Sequence, residues 1–313
     1  MPKIDLEIVI PTYNRAKYLE ETLEYIVNGP EGVRDIYVTI LDNASKDSTP
    51  EVCKKYADKY PNIKYIRNTR NIGGNGNIAR SFEVGTHEYL WVLADDDKYD
   101  WTSWPQLEEA CADGADLIVA GDDFKFADDL PNLMHNTVFL PVNIYKRSHI
   151  NEEVLCNILA HIGSIFPHMG AFAAVINHKG KIVVLDKPLI KRGDDNLISD
   201  VCRRSSDVSI PRCSTHWLGG YMQSIMLIND KKLRREFIDK LSYTGGSFYH
   251  QISGELKKSR FGLGFYPPTI GSMFLMFNWR QKIVMLTALI RIEIARLFRR
   301  KHYEKKYNCY KEN

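Results

Sequence analysis

Short apolar runs recur along the first 122 positions: Leu6 to Ile10, Tyr37 to Leu41, Ile63 to Arg67, Tyr89 to Leu93 and Leu117 to Ala120. Each is rich in β-prone residues, and the stretches between them carry helical spacing. Runs of this kind predict strands covered on both faces. Alternation of strand and helix predicts an α/β fold with a mostly parallel central sheet and flanking helices. In such sheets ligands bind beyond the carboxyl ends of the strands, where loops and helix N-termini offer polar groups. From 123 to about 215 the pattern is less regular, with Gly, Pro and His residues and short apolar runs at Ala171 to Ile176 and Ile182 to Leu185. From 217 the period is helical, interrupted by SYTGGSFYH and GLGFYPPT.

The expected strand ends are chemically unusual. The first is followed by Pro11, Thr12, Tyr13, Asn14 and Arg15, where hydroxyl, amide and guanidinium groups follow a proline that stops the ladder. The second ends in Asp42 and continues as NASKDST, in which Asp47 or Ser48 is expected to cap a helix over 48–59. A carboxylate that ends an apolar strand can accept a hydrogen bond from a nucleobase. The third ends in NIGGNGNIAR, Asn71 to Arg80, whose glycines let backbone approach a ligand closely. It lacks the GK[ST] ending of a phosphate-binding P-loop.

The fourth strand runs into Asp95, Asp96 and Asp97. Two carboxylates about 4 Å apart repel by roughly 1 kcal/mol in water and about 4 kcal/mol at a partly buried site. A triplet therefore calls for a compensating cation. The competing reading is a helix start, with the aspartates as caps for a helix over Trp101 to Ala112. Four polar strand ends on one edge weigh more than any one loop.

Composition narrows the class. The chain has 313 residues, 44% hydrophobic and 26% charged, with a formal net charge of +3. These values exclude a disordered or nucleic-acid-binding tail and allow one large α/β domain with an appendage. Six scattered cysteines without CxxC point to reduced thiols in a cytoplasmic protein rather than to a disulfide framework or zinc site. The five-residue apolar run near the N-terminus suits a first strand and is too short for a signal peptide.

IVIPTYNRAKYLEETL, DNASKDST, NIGGNGNIARS and WVLADDD, in that order over residues 6–97, resemble the family 2 glycosyltransferases, inverting enzymes of the GT-A fold that use nucleotide-sugar donors. The resemblance implies a Rossmann-like GT-A domain over 1–216, with 1–122 as the nucleotide-sugar-binding half and 123–216 as the acceptor half, followed by a helical region over 217–313. It assigns Pro11, Thr12, Tyr13, Arg15, Asp42, Asn71, Gly74, Asn77 and Arg80 to the donor. Asp96 would face the ribose and Asp97 would ligate Mn2+ or Mg2+, supported by Asp95 as a further ligand or donor contact. Ala94 stands where many relatives carry another aspartate. The chemistry agrees: a hard divalent cation held by carboxylates neutralises the charge that develops on a leaving nucleoside diphosphate.

Transfer to a hydroxyl also needs a general base. LIKRGDDNL resembles the family's Glu-Asp signature, making Asp195 the base and Asp194 the residue that positions the acceptor; a helix cap is the rival role for Asp194, and Asp122 and Asp123 are weaker rivals for the base. His216 is a candidate third metal ligand. His161, His168 and His178 are more readily explained as packed or surface residues.

Residues 283–290 carry no charge and are apolar except for Thr287, too few for a membrane span, and 291–306 carry seven Lys or Arg against two Glu, a local charge of +5. Such a helix over 281–306 can lie at an anionic membrane interface or pack on the domain or a second subunit of a homo-oligomer. The resulting expectation is a metal-dependent inverting glycosyltransferase acting on a glycan or lipid-linked acceptor in surface polysaccharide synthesis, in the cytoplasm or at the inner membrane face. Its rivals are a sugar-phosphate nucleotidyltransferase, whose Gly-rich, Arg- and Lys-bearing loop after strand one is missing, and a non-catalytic nucleotide-sugar or glycan-binding protein.

Overall fold

The computed structural model describes residues 4–121, 129–163, 166–191, 217–240, 252–253, 270–271 and 274–307. Asp122, Asp123, Asp194, Asp195 and His216 lie outside them, as do both glycine-rich breakers of the C-terminal third. In chain order the strands are β1 (Leu6–Thr12), β2 (Tyr37–Asp42), β3 (Ile63–Arg67), β4 (Tyr89–Val92), β5 (Lys98–Tyr99), β6 (Leu117–Val119), β7 (Asn143–Lys146), β8 (Ile182–Val184) and β9 (Ile190–Lys191). The helices are α1 (Ala16–Val27), α2 (Thr49–Lys59), α3 (Gly74–Val84), α4 (Trp104–Ala112), α5 (Leu130–Thr137), α6 (Glu152–Ala160), α7 (Met169–Asn177), α8 (Trp217–Met226), α9 (Lys231–Lys240) and α10 (Trp279–Tyr307).

Seven strands form one sheet in the order β3-β2-β1-β4-β7-β6-β8. The run β3-β2-β1-β4 is parallel, as the alternation predicts. β7 was not evident in the sequence; it runs antiparallel to both β4 and β6 and joins the two parts of the sheet. Its four residues are too few to show a period, yet Ile144 and Tyr145 are fully buried.

Successive residues of β1 explain the two layers. Ile8 and Ile10 pack with Leu19 and Leu23 of α1 and Tyr56 of α2, while Val9 points to the other face with Phe82 of α3. Burial on both faces is what makes the strands continuously apolar. The run Ala171 to Ile176 is helical, inside α7, whose residues from Met169 to Ile176 are all buried. An all-round apolar helix and a buried strand look alike over six residues. The second layer continues into the C-terminal helices: Ile225, Phe237, Met285, Ala288 and Ile292 belong to the same cluster as Val9, Val92 and Phe172. No helix among the described residues is long and apolar enough to cross a membrane.

His168, just before α7, is a packed residue, 2% exposed, with Nε2 3.2 Å from the Thr137 carbonyl. Burial lowers its pKa to about 4, against the pull of that carbonyl. The unfolded chain then binds a proton between pH about 6.5 and 4 that the folded chain refuses, so stability falls as pH falls through that window. The shift corresponds to about 3 kcal/mol. His168→Leu should flatten the pH dependence of urea midpoints between pH 7 and 4.5; an unchanged slope would show that His168 is not the source.

Candidate active site

The carboxyl ends of β3, β2, β1 and β4 lie side by side. Thr12 is in register with Asp42, and Asp42 with Arg67. The Leu93 amide still donates to the Val9 carbonyl (3.0 Å), which delivers the next residues, Asp95 to Asp97, to the end of β1. The aspartates cap no helix. Asp100 does that work, accepting from the Thr102 amide at 3.1 Å at the head of a 3-10 turn (Trp101–Ser103) that leads into α4. The triplet sits in the bend between β4 and β5.

Its charge is met from β1's loop. Arg15 Nε lies 2.6 Å from Asp95 Oδ1, and Arg15 Nη2 lies 2.6 Å from Asp96 Oδ2. The Thr12 hydroxyl donates to Asp95 Oδ2 at 2.6 Å. Both oxygens of Asp95 are thus held by the protein. Burial raises its carboxyl pKa to about 6, which Arg15 and Thr12 oppose and the neighbouring Asp96 charge reinforces. Burial works against the Arg15 charge too, but Asp95 and Asp96 outweigh it and favour its protonated form. Asp96 is the more open carboxylate, with 27% of its side chain exposed, while Asp97 is buried at 6%.

Asp42 is fully buried and accepts from the Ser45 amide (2.8 Å) and the Tyr65 hydroxyl (3.0 Å), with Arg67 Nε at 3.2 Å. Burial, then the bond to Asp42, pushes the Tyr65 phenol pKa up. Tyr65 and Arg67 were not singled out from the sequence. They alternate along β3 on the same side, and only the β2–β3 register shows that this side meets Asp42.

The first two loops are tied together. The Asn14 amide donates to Ser45 Oγ (2.9 Å), the Lys46 amide to Asn14 Oδ1 (2.7 Å) and the Arg15 amide to Thr49 Oγ1 (3.0 Å). Asn14 and Ala44 both take left-handed backbone conformations, φ 52° and 63°. For Ala44 this costs on the order of 1 kcal/mol. In the third loop Gly73 has φ 84°, a position glycine fills without strain, and Gly74 opens α3 beside empty space.

Behind these loops lies an amide network. Asn43 Nδ2 donates to Asn71 Oδ1 (2.9 Å), Asn68 Nδ2 to Asn43 Oδ1 (2.9 Å) and Asn77 Oδ1 (2.8 Å), Asn77 Nδ2 to the Leu41 carbonyl (2.9 Å), and Arg80 Nη1 to Asn68 Oδ1 (2.7 Å). Asn71, Asn77 and Arg80 therefore serve the frame that holds the loops; Asn77 is buried, Asn71 and Arg80 half-buried. Pro11 and Tyr13 are half-buried at the end of β1 and just beyond it.

On the far side of the triplet, β5 and β9 form a two-stranded ribbon that pairs Lys98 with Lys191. Tyr99, buried under the bend, donates to the Ala94 carbonyl (2.9 Å).

Residues 7–174 match the model of a family described as Glycosyl transferase family 2. The chain belongs to glycosyl transferase family 2. Among proteins similar to this family 2 chain is the abequosyltransferase RfbV of Salmonella typhimurium, 29% identical over 224 residues that cover 61% of this chain and 67% of that protein. The dolichol-phosphate mannosyltransferase of Pyrococcus furiosus is 30% identical over 114 residues, 36% of this chain and 32% of that protein. The minor teichoic acid biosynthesis protein GgaB of Bacillus subtilis is 30% identical over 93 residues, 30% of this chain and 10% of that protein. The chain thus spans a third or less of the latter two.

Solved structures share the GT-A-type fold of this family 2 chain. S. aureus TarS in complex with UDP-GlcNAc superposes with a TM-score of 0.58 at 16% identity, covering 90% of this chain and 84% of that one. The mannosyltransferase PcManGT of Pyrobaculum calidifontis, in complex with GDP-Man and Mn2+, gives a TM-score of 0.54 at 12% identity, covering 98% and 84%.

Proposed function

We propose that the protein is an inverting glycosyltransferase that moves a sugar from a nucleotide-sugar donor to a hydroxyl of a glycan or lipid-linked oligosaccharide in surface polysaccharide synthesis, at the cytoplasmic face of a membrane that 281–306 contacts. The observation that carries the reading is the meeting, on one sheet edge of a family 2 chain, of Thr12, Arg15, Asp42 and the three aspartates. That edge is where an open parallel sheet binds its ligand.

Mn2+ or Mg2+ at the triplet would neutralise the leaving diphosphate. The fit rests on donor chemistry: hard carboxylate oxygens, clustered so closely that the chain brings a guanidinium to balance them. Among the described residues no group of three or more His, Cys, Asp or Glu is arranged to hold a metal ion. Asp97 would be the direct protein ligand and Asp96 would face the ribose, with Asp95, fixed by Thr12 and Arg15, in support as a further ligand or donor contact, and His216 a further candidate. Asp42, held rigid by Ser45, Tyr65 and Arg67, would bound the nucleoside site together with Tyr13 and Pro11. Asp195 would take the proton from the attacking hydroxyl on the sugar face opposite the diphosphate, with Asp194 positioning the acceptor.

The test is a thermal-shift screen of UDP-, GDP-, CDP- and dTDP-sugars with and without Mn2+. One donor at 100 times its Kd should raise the melting temperature by about 5 °C, and by clearly less without metal. No shift with any donor in either condition would overturn the reading. Binding without transfer to any glycan acceptor would reduce it to a nucleotide-sugar-binding protein.

A further inference from the structure

Helix α10 is apolar on two opposite sides. Gln281, Met285, Ala288 and Ile292 point into the core, and the Gln281 amide donates to the Ile238 carbonyl at 2.8 Å. A second series with similar spacing faces away: Trp279, Ile283, Leu286, Ile290 and Ile294 are 66, 54, 45, 60 and 49% exposed. The displacement of two residues between the series, Met285 against Ile283, corresponds to about 200° around the helix. Leu275, before the helix begins, is also exposed, at 84%. Single exposed apolar side chains are ordinary, but a continuous stripe of five over about 22 Å marks a surface that is covered in use.

Charge identifies the covering. Exposed Arg280 and Arg291 flank the outer stripe on one side and Lys282 on the other, and Glu293 is the single acid from 279 to 303. The chain carries +3 in total and +5 within 291–306, which leaves −2 on the remainder. The basic character is therefore local to this helix. A second copy of the stripe would bring almost no acid to meet it. An anionic bilayer meets both features, taking the apolar side chains into the acyl boundary and Lys and Arg to its headgroups.

We infer that the outer face of α10 docks in the plane of an anionic lipid surface through Trp279, Ile283, Leu286, Ile290 and Ile294. This rests on the reading of 281–306 as a membrane contact and names its surface, side chains and lipid charge. Deleting the helix cannot test it, because Met285, Ala288 and Ile292 would leave the core. The full chain should instead be sedimented with vesicles of phosphatidylcholine alone and of phosphatidylcholine mixed with phosphatidylglycerol. We expect binding to the mixed vesicles, loss of binding at high salt, and at least about ten-fold weaker binding for Ile283→Gln/Ile290→Gln. The double variant should keep the wild-type melting temperature and donor-induced shift.

Absence of wild-type binding to anionic vesicles, or equal binding by the double variant, would overturn the inference. So would a wild-type dimer that the double variant splits while vesicle binding stays unchanged, since the stripe would then be a subunit interface. The donor shift, read on the same samples, separates failure of docking from failure of the glycosyltransferase reading.

Discussion

Asp97→Asn is expected to lower glycosyl transfer by roughly 10²–10³-fold, the scale on which single groups that stabilise developing charge act. The substitution keeps the shape of a side chain that is 6% exposed and removes its charge. Because asparagine keeps the side chain's size and one carbonyl acceptor, ligand-free stability should change far less than transfer does. A merely structural Asp97 would give the opposite pairing, with stability lost and transfer reduced only in proportion to folded protein. Asp195→Asn should cost about 10²–10⁴-fold in transfer if it removes the general base, with donor binding retained. Wild-type rates in both variants, measured with Mn2+ present, would sink the assignment.

Arg15→Ala is expected to destabilise the ligand-free protein by about 2–4 kcal/mol, because removing one partner of a largely buried ion pair leaves the other charge uncompensated. The lower end allows for partial solvent access, with 19% of the Arg15 side chain and 27% of Asp96 exposed. Arg15 also lies over the Tyr18 ring, 4.7 Å from its centroid, and that contact would be lost as well. Mn2+ should restore more stability to Arg15→Ala than it gives the wild type, since the ion would supply the charge that the guanidinium supplies now. Lysine should recover little, as one ammonium cannot span Asp95 and Asp96 as the planar fork does. Urea unfolding with and without Mn2+ measures both effects; a variant as stable as wild type would show that Asp95 and Asp96 do not depend on Arg15.

The parts of the fold most legible in the sequence are those buried on both sides. β1, β2, β4 and β6 announce themselves as Ile8 and Val9 do, apolar toward opposite layers, whereas β3, at the sheet edge with Lys64 and Arg67 exposed, showed only as a short β-prone run. β7 did not, since Asn143–Lys146 gains its identity from the neighbours it joins. The triplet was visible, and so was its need for a cation, but the identity of Arg15 as the present one depends on how the loop after β1 turns back. That turn is set by Asn14 at positive φ and its bonds to Ser45 and Lys46, contacts across 31 and 32 positions that no local pattern encodes. Asp42 was legible as a strand-ending carboxylate, whereas Tyr65 and Arg67 required the strand register. The basic character of α10 was plain from composition; its outer stripe separates from the inner one only once Met285 and Ile292 are known to face the core.

The position of β1 between β2 and β4 also sets a timetable for synthesis. After Asp42 emerges, about 47 further residues must be made before β4 begins at Tyr89. At about 5–20 residues per second that leaves one edge of β1 open for roughly 2–10 s on the ribosome. The Thr12–Asp95 bond spans 83 positions, so the acidic pocket cannot assemble until that wait ends. A nascent chain stalled within the interval would present the open edge of Leu6–Thr12 to chaperones or to another strand.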